Sequence, residues 1–272
     1  MKRAWMTVLA VSALWGCAAD EGDFTDASEA AVEGQAHWSY EGIEEWGEHA
    51  AVCESGRRQS PVDIPLKATT PRASLKALDV AYAPMPLVVV NNGHTVQAQA
   101  SGARAQTMVA NGKTYRLVQM HFHAGVGRAG RFEGSEHTVD RRRYPMELHL
   151  VHANVEDPKD LAVVGVLLEE GKENQALAPI FANAPKDKSA ETVVEGKSID
   201  VSRLLPASLR YVTYSGSLTT PPCSETVTWY VLTTPVEVSP AQLRSYQTAI
   251  PGNSFRPVQP GARDFALSPE TK

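Results

Sequence analysis

A chain of 272 residues has room for one large domain or two small ones, and its 43% apolar residues and 21% charged residues describe a globular protein with a substantial core. The net charge of −5 at pH 7 argues against nucleic acid as a partner, which would call for a basic face. The one marked basic run, Arg141-Arg142-Arg143, reads as a solvated strand entry.

The N-terminus reads as a targeting segment. Lys2 and Arg3 precede an apolar stretch, Val8 to Trp15, well short of the ~20 apolar residues that cross a bilayer. Leu14-Trp15-Gly16-Cys17 resembles a bacterial lipoprotein signal in which Cys17 takes the lipid, although Trp15 is an awkward residue for that pattern. The alternative is an ordinary cleaved signal peptide with an incidental cysteine. Either reading makes the protein exported, to the periplasm or cell envelope, with a lipid anchor as its only attachment to a membrane. Residues 18–36 are polar and acidic and read as a flexible tether. A single domain is expected over 37–265, with 266–272 as a tail.

No internal repeat or low-complexity tract interrupts that domain. Short alternating apolar runs follow one another: Leu87–Val90, Thr95–Ala100, Tyr115–His123, Glu147–Val151, Leu161–Leu168, Leu209–Tyr214 and Val227–Leu232. Asn92-Gly93 and Asn111-Gly112 punctuate them as turns. Helices are predicted only over Asn174–Asn183 and Pro240–Ile250, the second with Ser239 as N-cap and Pro240 at its first position. The pattern predicts a mainly β domain.

Three histidines carry the chemistry. In Gln119-Met120-His121-Phe122-His123 strand alternation puts Gln119, His121 and His123 on one face. In Glu147-Leu148-His149-Leu150-Val151-His152 it puts Glu147, His149 and Val151 together and His152 on the other side. If these strands are neighbours, three imidazoles converge. Three neutral nitrogen ligands with a fourth position open is the layout of a catalytic zinc site. A lone strand histidine is more often a surface or hydrogen-bonded residue; what favours ligation is that Gln119 and Glu147 stand where each could orient an imidazole.

Around these histidines the chain resembles the α-class carbonic anhydrases, of the bacterial exported type, from about His37 to about Pro260. The matching runs include Gln59–Ile64, Asn91–Val96, Ser135–Asp140 and Tyr214–Cys223, the last continuing to Trp229. The resemblance implies a central twisted, mostly antiparallel sheet with a few short peripheral helices. It implies one catalytic zinc ion on His121, His123 and His149, and the reversible hydration of carbon dioxide to bicarbonate and a proton by zinc-bound hydroxide. In the matching pattern Thr219 accepts the hydroxide's hydrogen and gives its own proton to Glu136, admitting protonated groups and disfavouring aprotic ones. The Thr219 N–H and the Thr220 side chain would bind bicarbonate or inhibitors, anions and sulfonamides among them. Val151, Val163, Leu218, Val227 and Trp229 match the hydrophobic wall for carbon dioxide; read alone, each is a core residue. His94 matches the proton shuttle, with Asn92, Gln97 and Tyr40 ordering the water path. His37, His49 and His152 look less central, and His137 reads as a buried structural partner near Glu136. The resemblance also implies a disulfide between Cys53 and Cys223, the alternative being two free buried thiols. A homodimer is compatible with all of this.

Three departures stand out. Ala124 occupies a position where the family usually carries tryptophan, Gly125–Gly134 is longer than usual, and Gly252–Pro257 is one residue longer, which leaves the carbonyl that orients His123 unassigned. Two competing readings are a catalytically inactive relative acting as a binding module and a zinc-dependent esterase activity of the same site. The first usually lacks a metal histidine, and none is missing here.

Overall fold

The computed structural model describes residues 38–102, 104, 106–126 and 131–269; the signal segment, Cys17, the tether and His37 lie outside them. Among the described residues fifteen strands dominate: β1 Asp63–Ile64, β2 Asp79–Ala81, β3 Met85–Asn91, β4 Val96–Gln99, β5 Thr107–Ala110, β6 Lys113–Ala124, β7 Thr138–Val139, β8 Arg142–Arg143, β9 Met146–Asn154, β10 Leu161–Glu170, β11 Thr192–Ile199, β12 Tyr211–Gly216, β13 Val227–Leu232, β14 Val236–Val238 and β15 Ala266–Leu267. Twelve form one sheet whose main path runs β11-β3-β4-β6-β9-β10-β13-β12-β15, and β1, β7 and β8 form a small second sheet. Pairing is antiparallel except between β10 and its neighbours β13 and β14, and between β1 and β7. The expected mainly β, mostly antiparallel architecture is therefore what the chain adopts.

The large sheet buries both faces, and strand alternation divides its residues between them. Leu148 and Leu150 on β9, with Ala162, Val164 and Val166 on β10, face the main core. That core is covered by the helices Ala178–Ala182 and Pro240–Ala249 through Ile180, Phe181, Leu243 and Tyr246. Val151, Val163, Val227 and Trp229 belong to a separate apolar cluster on the opposite face. On β6 the alternation is broken once. Leu117 pairs with His152 and Gln119 with Val151, so Val118 is an extra residue, a β-bulge. Tyr115 and Leu117 precede it in the main core, and Met120, Phe122 and Ala124 follow it there. Were Val118 paired in regular alternation instead of bulged out, Gln119, His121 and His123 would fall on the main-core face with Tyr115 and Leu117.

The helix at Pro240–Ala249 has the expected N-terminus: Ser239 and Gln242 form a reciprocal capping box, with proline just inside. Its Tyr246 hydroxyl donates to the Phe122 carbonyl at 2.8 Å, which ties the helix to β6 between the two histidines. The helix expected over Asn174–Asn183 is shorter, Ala178–Ala182, because the Asn174 side chain accepts from the N–H groups of Ala176 and Leu177 and holds those residues in a turn. β11 was not anticipated: its exposed pattern and Gly196 at φ +67° hide its pairing with β3. Ala266 and Leu267, assigned to the tail, instead pair with Thr213 and Val212 at the sheet edge.

His152 lies on the main-core face, away from the other strand histidines. It is fully buried, with Nδ1 donating to the Ala162 carbonyl at 3.2 Å and Nε2 accepting from the Tyr82 hydroxyl at 2.6 Å. Burial pushes its pKa down to about 4. The unfolded chain takes up this proton near pH 6.5 and the folded chain only near 4, so the stability involved is complete above about 6.5 and is lost as pH falls through 4. The span corresponds to about 3 kcal/mol at most. Urea unfolding of the wild type and of His152→Gln at pH 7.5 and pH 4.5 checks this: the wild type should lose more stability across that interval by up to that amount, and equal losses would show that His152 does not titrate on unfolding.

Candidate metal centre

β6 and β9 are neighbours, with His121 directly opposite His149 and His123 opposite Glu147. The three imidazoles converge: ring centroids are 4.8 Å apart for His121 and His123, 5.2 Å for His121 and His149, and 4.5 Å for His123 and His149. Each ring has one nitrogen committed to the protein. His121 Nδ1 donates to Gln119 Oε1 at 2.9 Å, His123 Nδ1 to the Ser254 carbonyl at 2.7 Å, and His149 Nε2 to Glu147 Oε1 at 3.0 Å. That leaves His121 Nε2, His123 Nε2 and His149 Nδ1 as acceptors, and one nitrogen from each ring lies within 4.8 Å of the others. Buried His123 Nε2 has no hydrogen-bond partner. An orphaned buried acceptor facing two others is costly unless a cation completes it, so the donor set fits a metal ion.

The electrostatics agree with that fit. Burial pushes the pKa of His121 and His123 well down and that of His149 down, so all three present lone pairs at neutral pH. Glu147 shows the opposite balance. Burial alone would raise it, but His137 and His149 together hold it well below the usual carboxylate range. His137 is fully buried as expected, and its partner is Glu147: its ring Nδ1 and its backbone N–H lie 2.7 and 2.8 Å from the two carboxylate oxygens. The chain continues through Tyr214 to Ser60. Gly165 makes room for it, since a methyl group there would sit 2.9 Å from Glu147 Oε1.

Glu136 lies beside the cluster with Oε2 at 3.4 Å from His123 Nε2 and 3.9 Å from His149 Nδ1. Its Oε1 accepts from the Arg256 backbone N–H at 2.8 Å. Burial drives this carboxyl well up; the Arg256 N–H and the Thr219 hydroxyl pull it down without overcoming burial. Thr219 is thus close enough to act on the carboxyl, but Oε2 itself has no partner at hydrogen-bonding geometry. Next to Thr219, Thr220 accepts the Cys223 N–H on its carbonyl, closing the loop tightly.

The apolar residues expected beside the metal form one cluster: Val151, Val163, Val227 and Trp229 are buried together, with Leu218 packed against them. Trp229 meets the His149 ring edge-on at 4.8 Å. On the other flank Gln97 pairs with His121 across β4 and β6, and the Tyr40 hydroxyl is 3.4 Å from His123 Nδ1. The Asn92 side chain accepts from the N–H groups of His94 and Thr95, so it shapes the turn that carries His94. His94 stacks on Trp38, rings 3.8 Å apart and 10° from parallel. Cys53 and Cys223 are joined as a disulfide.

Comparison with known proteins decides the family. The eukaryotic-type carbonic anhydrase family model matches residues 41–264. The chain belongs to the α-class carbonic anhydrases. It is 40% identical to a carbonic anhydrase of Klebsiella pneumoniae over 230 residues, 82% of this chain and 87% of that one. To a carbonic anhydrase of Nostoc sp. it is 40% identical over 232 residues, 82% and 83% of the two chains. Among solved structures, the α-carbonic anhydrase of Thermovibrio ammonificans in complex with the inhibitor sulfanilamide superposes with a TM-score of 0.76 at 38% identity, covering 86% of this chain and all of that one.

Within this carbonic anhydrase, several supporting residues escaped the sequence reading. Ser254 supplies the unassigned carbonyl for His123, and its N–H and hydroxyl also bind Ala124, where the family usually has a tryptophan. No local pattern marks Ser254, because the contact spans more than a hundred residues. Trp38 and Arg256 likewise act on residues distant in the chain, His94 and Glu136. In the segment Gly125–Gly134 the Glu133 N–H donates to the Gly125 carbonyl and the Gly134 N–H to the Tyr144 carbonyl.

Proposed function

We propose that this enzyme hydrates carbon dioxide reversibly to bicarbonate and a proton, using one zinc ion held by His121, His123 and His149. The observation that carries the reading is the trio of neutral imidazoles, His123 and His149 buried and His121 partly so, whose other nitrogens are all committed to fixed acceptors. Zinc, when bound, supplies hydroxide at neutral pH by lowering the pKa of its water to about 7, the established value for carbonic anhydrase chemistry. Neutral ligands leave the ion its full charge, which a thiolate would reduce. A dication in that position also favours the ionised form of Glu136, opposing the effect of burial.

In this reading Thr219 passes its hydroxyl proton toward Glu136 and so keeps an acceptor oxygen turned to the reacting group. The Thr219 N–H and the Thr220 side chain bind product or anions, sulfonamides included. Val151, Val163, Leu218, Val227 and Trp229 offer carbon dioxide an apolar surface beside the nucleophile, as an uncharged substrate requires. His94 carries the product proton outward; Asn92, Gln97 and Tyr40 order the water between. The stacking on Trp38 gives the His94 ring a defined resting position at the flank of the site.

Export is part of the proposal. Its support is the basic and apolar start of the sequence, the Leu14–Cys17 motif and the disulfide, which suits an oxidising compartment. Among the described residues no helix is long and apolar enough to cross a membrane.

His121→Ala, His123→Ala and His149→Ala should each lose most bound zinc and nearly all hydration activity, because two ligands hold zinc poorly against buffer. Metal analysis with stopped-flow carbon dioxide hydration measures both, and full activity in any one variant would refute the ligand set.

His94→Ala should lower turnover in weak buffer while kcat/KM stays nearly constant, since proton release follows the hydration step. Added small imidazoles should restore part of the rate. A parallel fall of both parameters with no rescue would remove His94 from the proton path.

Cells fed labelled fatty acid should incorporate it into the wild-type protein and not into Cys17→Ser. An unlabelled wild type cut elsewhere would leave only a secretory signal.

A further inference from the structure

Behind Glu136, on the side away from the imidazoles, lies a set of buried polar groups that the proposed chemistry does not use. Arg256 is 3% exposed and Gln59 is 4% exposed. The Arg256 guanidinium donates through one nitrogen to Gln59 Oε1 and the Ser60 carbonyl, both at 2.9 Å, and through the other to the Cys53 carbonyl at 2.8 Å. Gln59 Nε2 donates to the Cys223 carbonyl at 3.0 Å and to Glu225 Oε1 at 3.1 Å. Cys223 is bonded to Cys53. These contacts close a ring: from Cys53 through the disulfide to Cys223, then to Gln59, to Arg256 and back to Cys53.

Glu136 and Thr219, which in the reading above act as a gate for protonated groups, both hang from this ring. Glu136 Oε1 is held by the backbone N–H of Arg256 itself. The Thr219-Thr220 segment is held by the Cys223 N–H on the Thr220 carbonyl, and Cys223 sits at φ +56° to make that return. A guanidinium removed from water is expensive, and burial pushes the Arg256 pKa down to about 10. An apolar residue would fill the same space more cheaply. What it could not do is fix three carbonyl-type acceptors, one at Cys53 and two at Gln59-Ser60, at once.

We propose that Gln59 and Arg256 are positioning residues of the gate: with the Cys53–Cys223 bridge they hold Glu136 and Thr219 at the spacing that lets Thr219 discriminate protonated from aprotic groups. This rests on the zinc-enzyme reading above. It makes a prediction that a merely structural role does not: loosening the ring should change selectivity among anions more than it changes metal binding.

The test uses zinc-loaded wild type and Gln59→Leu, each first checked for zinc content and cooperative unfolding. Two probes are titrated by calorimetry. Sulfanilamide presents a nitrogen that keeps a hydrogen for Thr219 to accept; thiocyanate presents none. In Gln59→Leu the affinity for sulfanilamide should fall roughly tenfold or more, the size expected for losing one well-made buried hydrogen bond, while thiocyanate changes less than about threefold. The kcat/KM for hydration should fall with sulfanilamide affinity. Unchanged binding of both probes, or an equal loss for both, would overturn the proposal.

Should Gln59→Leu fail to fold, the wild type treated with a phosphine reductant opens the same ring at its covalent link. With both thiols counted as free and zinc retained, the same selective loss is expected. Intact sulfanilamide binding in the reduced protein, or loss of zinc or of the fold on reduction, counts against a gate-holding role. A wild type that binds no zinc or hydrates no carbon dioxide would refute the functional reading and not the ring.

Discussion

Everything in the site depends on drawing three imidazoles together, two buried and one partly so, while each keeps one fixed hydrogen bond on the side away from the others. A buried neutral histidine has one donor and one acceptor to satisfy, and donating from one nitrogen decides which lone pair remains. Gln119, the Ser254 carbonyl and Glu147 make that decision for His121, His123 and His149. The pattern mixes nitrogens, with two rings offering Nε2 and one offering Nδ1, because Glu147 reaches His149 from the opposite side of its ring. A change of acceptor would rotate a ring or switch its tautomer without altering any ligand residue.

The fold serves this constraint through register. The Val118 bulge shifts the alternation of β6 by one residue, so the strand can anchor the main core at Tyr115 and Leu117 and present its histidines to the opposite face. Gly165 supplies the complementary space on β10, where Glu147 leans over the backbone toward His149. The apolar cluster around Trp229 then excludes water from one flank of the imidazoles, and the Tyr40, Gln97 and His94 flank remains the polar one.

Much of this was legible in the sequence because it is written in short-range periodicity. His121, His123, Gln119, Glu147, His149 and Val151 declare their shared faces through two-residue spacing alone, and the Ser239–Pro240 start of the long helix declares itself through capping chemistry. Resemblance added Glu136, Thr219 and the disulfide, which no spacing rule reaches. What stayed hidden was of three kinds. β11 pairs along an exposed edge, so its side chains carry no burial pattern. Ser254, Arg256 and Trp38 act through contacts with residues far away in the chain, and two of them through backbone atoms, which any residue possesses. Asn174 shows a third cause: a helix-like stretch gave way to a side chain that competes for the backbone N–H groups.

The Ser254 carbonyl and the Arg256 N–H come from a segment near the C-terminal end of the domain, while the histidines and Glu136 lie near its middle. A chain made N-terminus first therefore emerges with all three imidazoles and Glu136 long before the anchors of His123 and Glu136 exist. Until about residue 256 has appeared, His123 has no acceptor to set its tautomer and Glu136 no donor to hold it. The order of synthesis thus separates the appearance of the three histidines from the moment at which His123 and Glu136 are held in place.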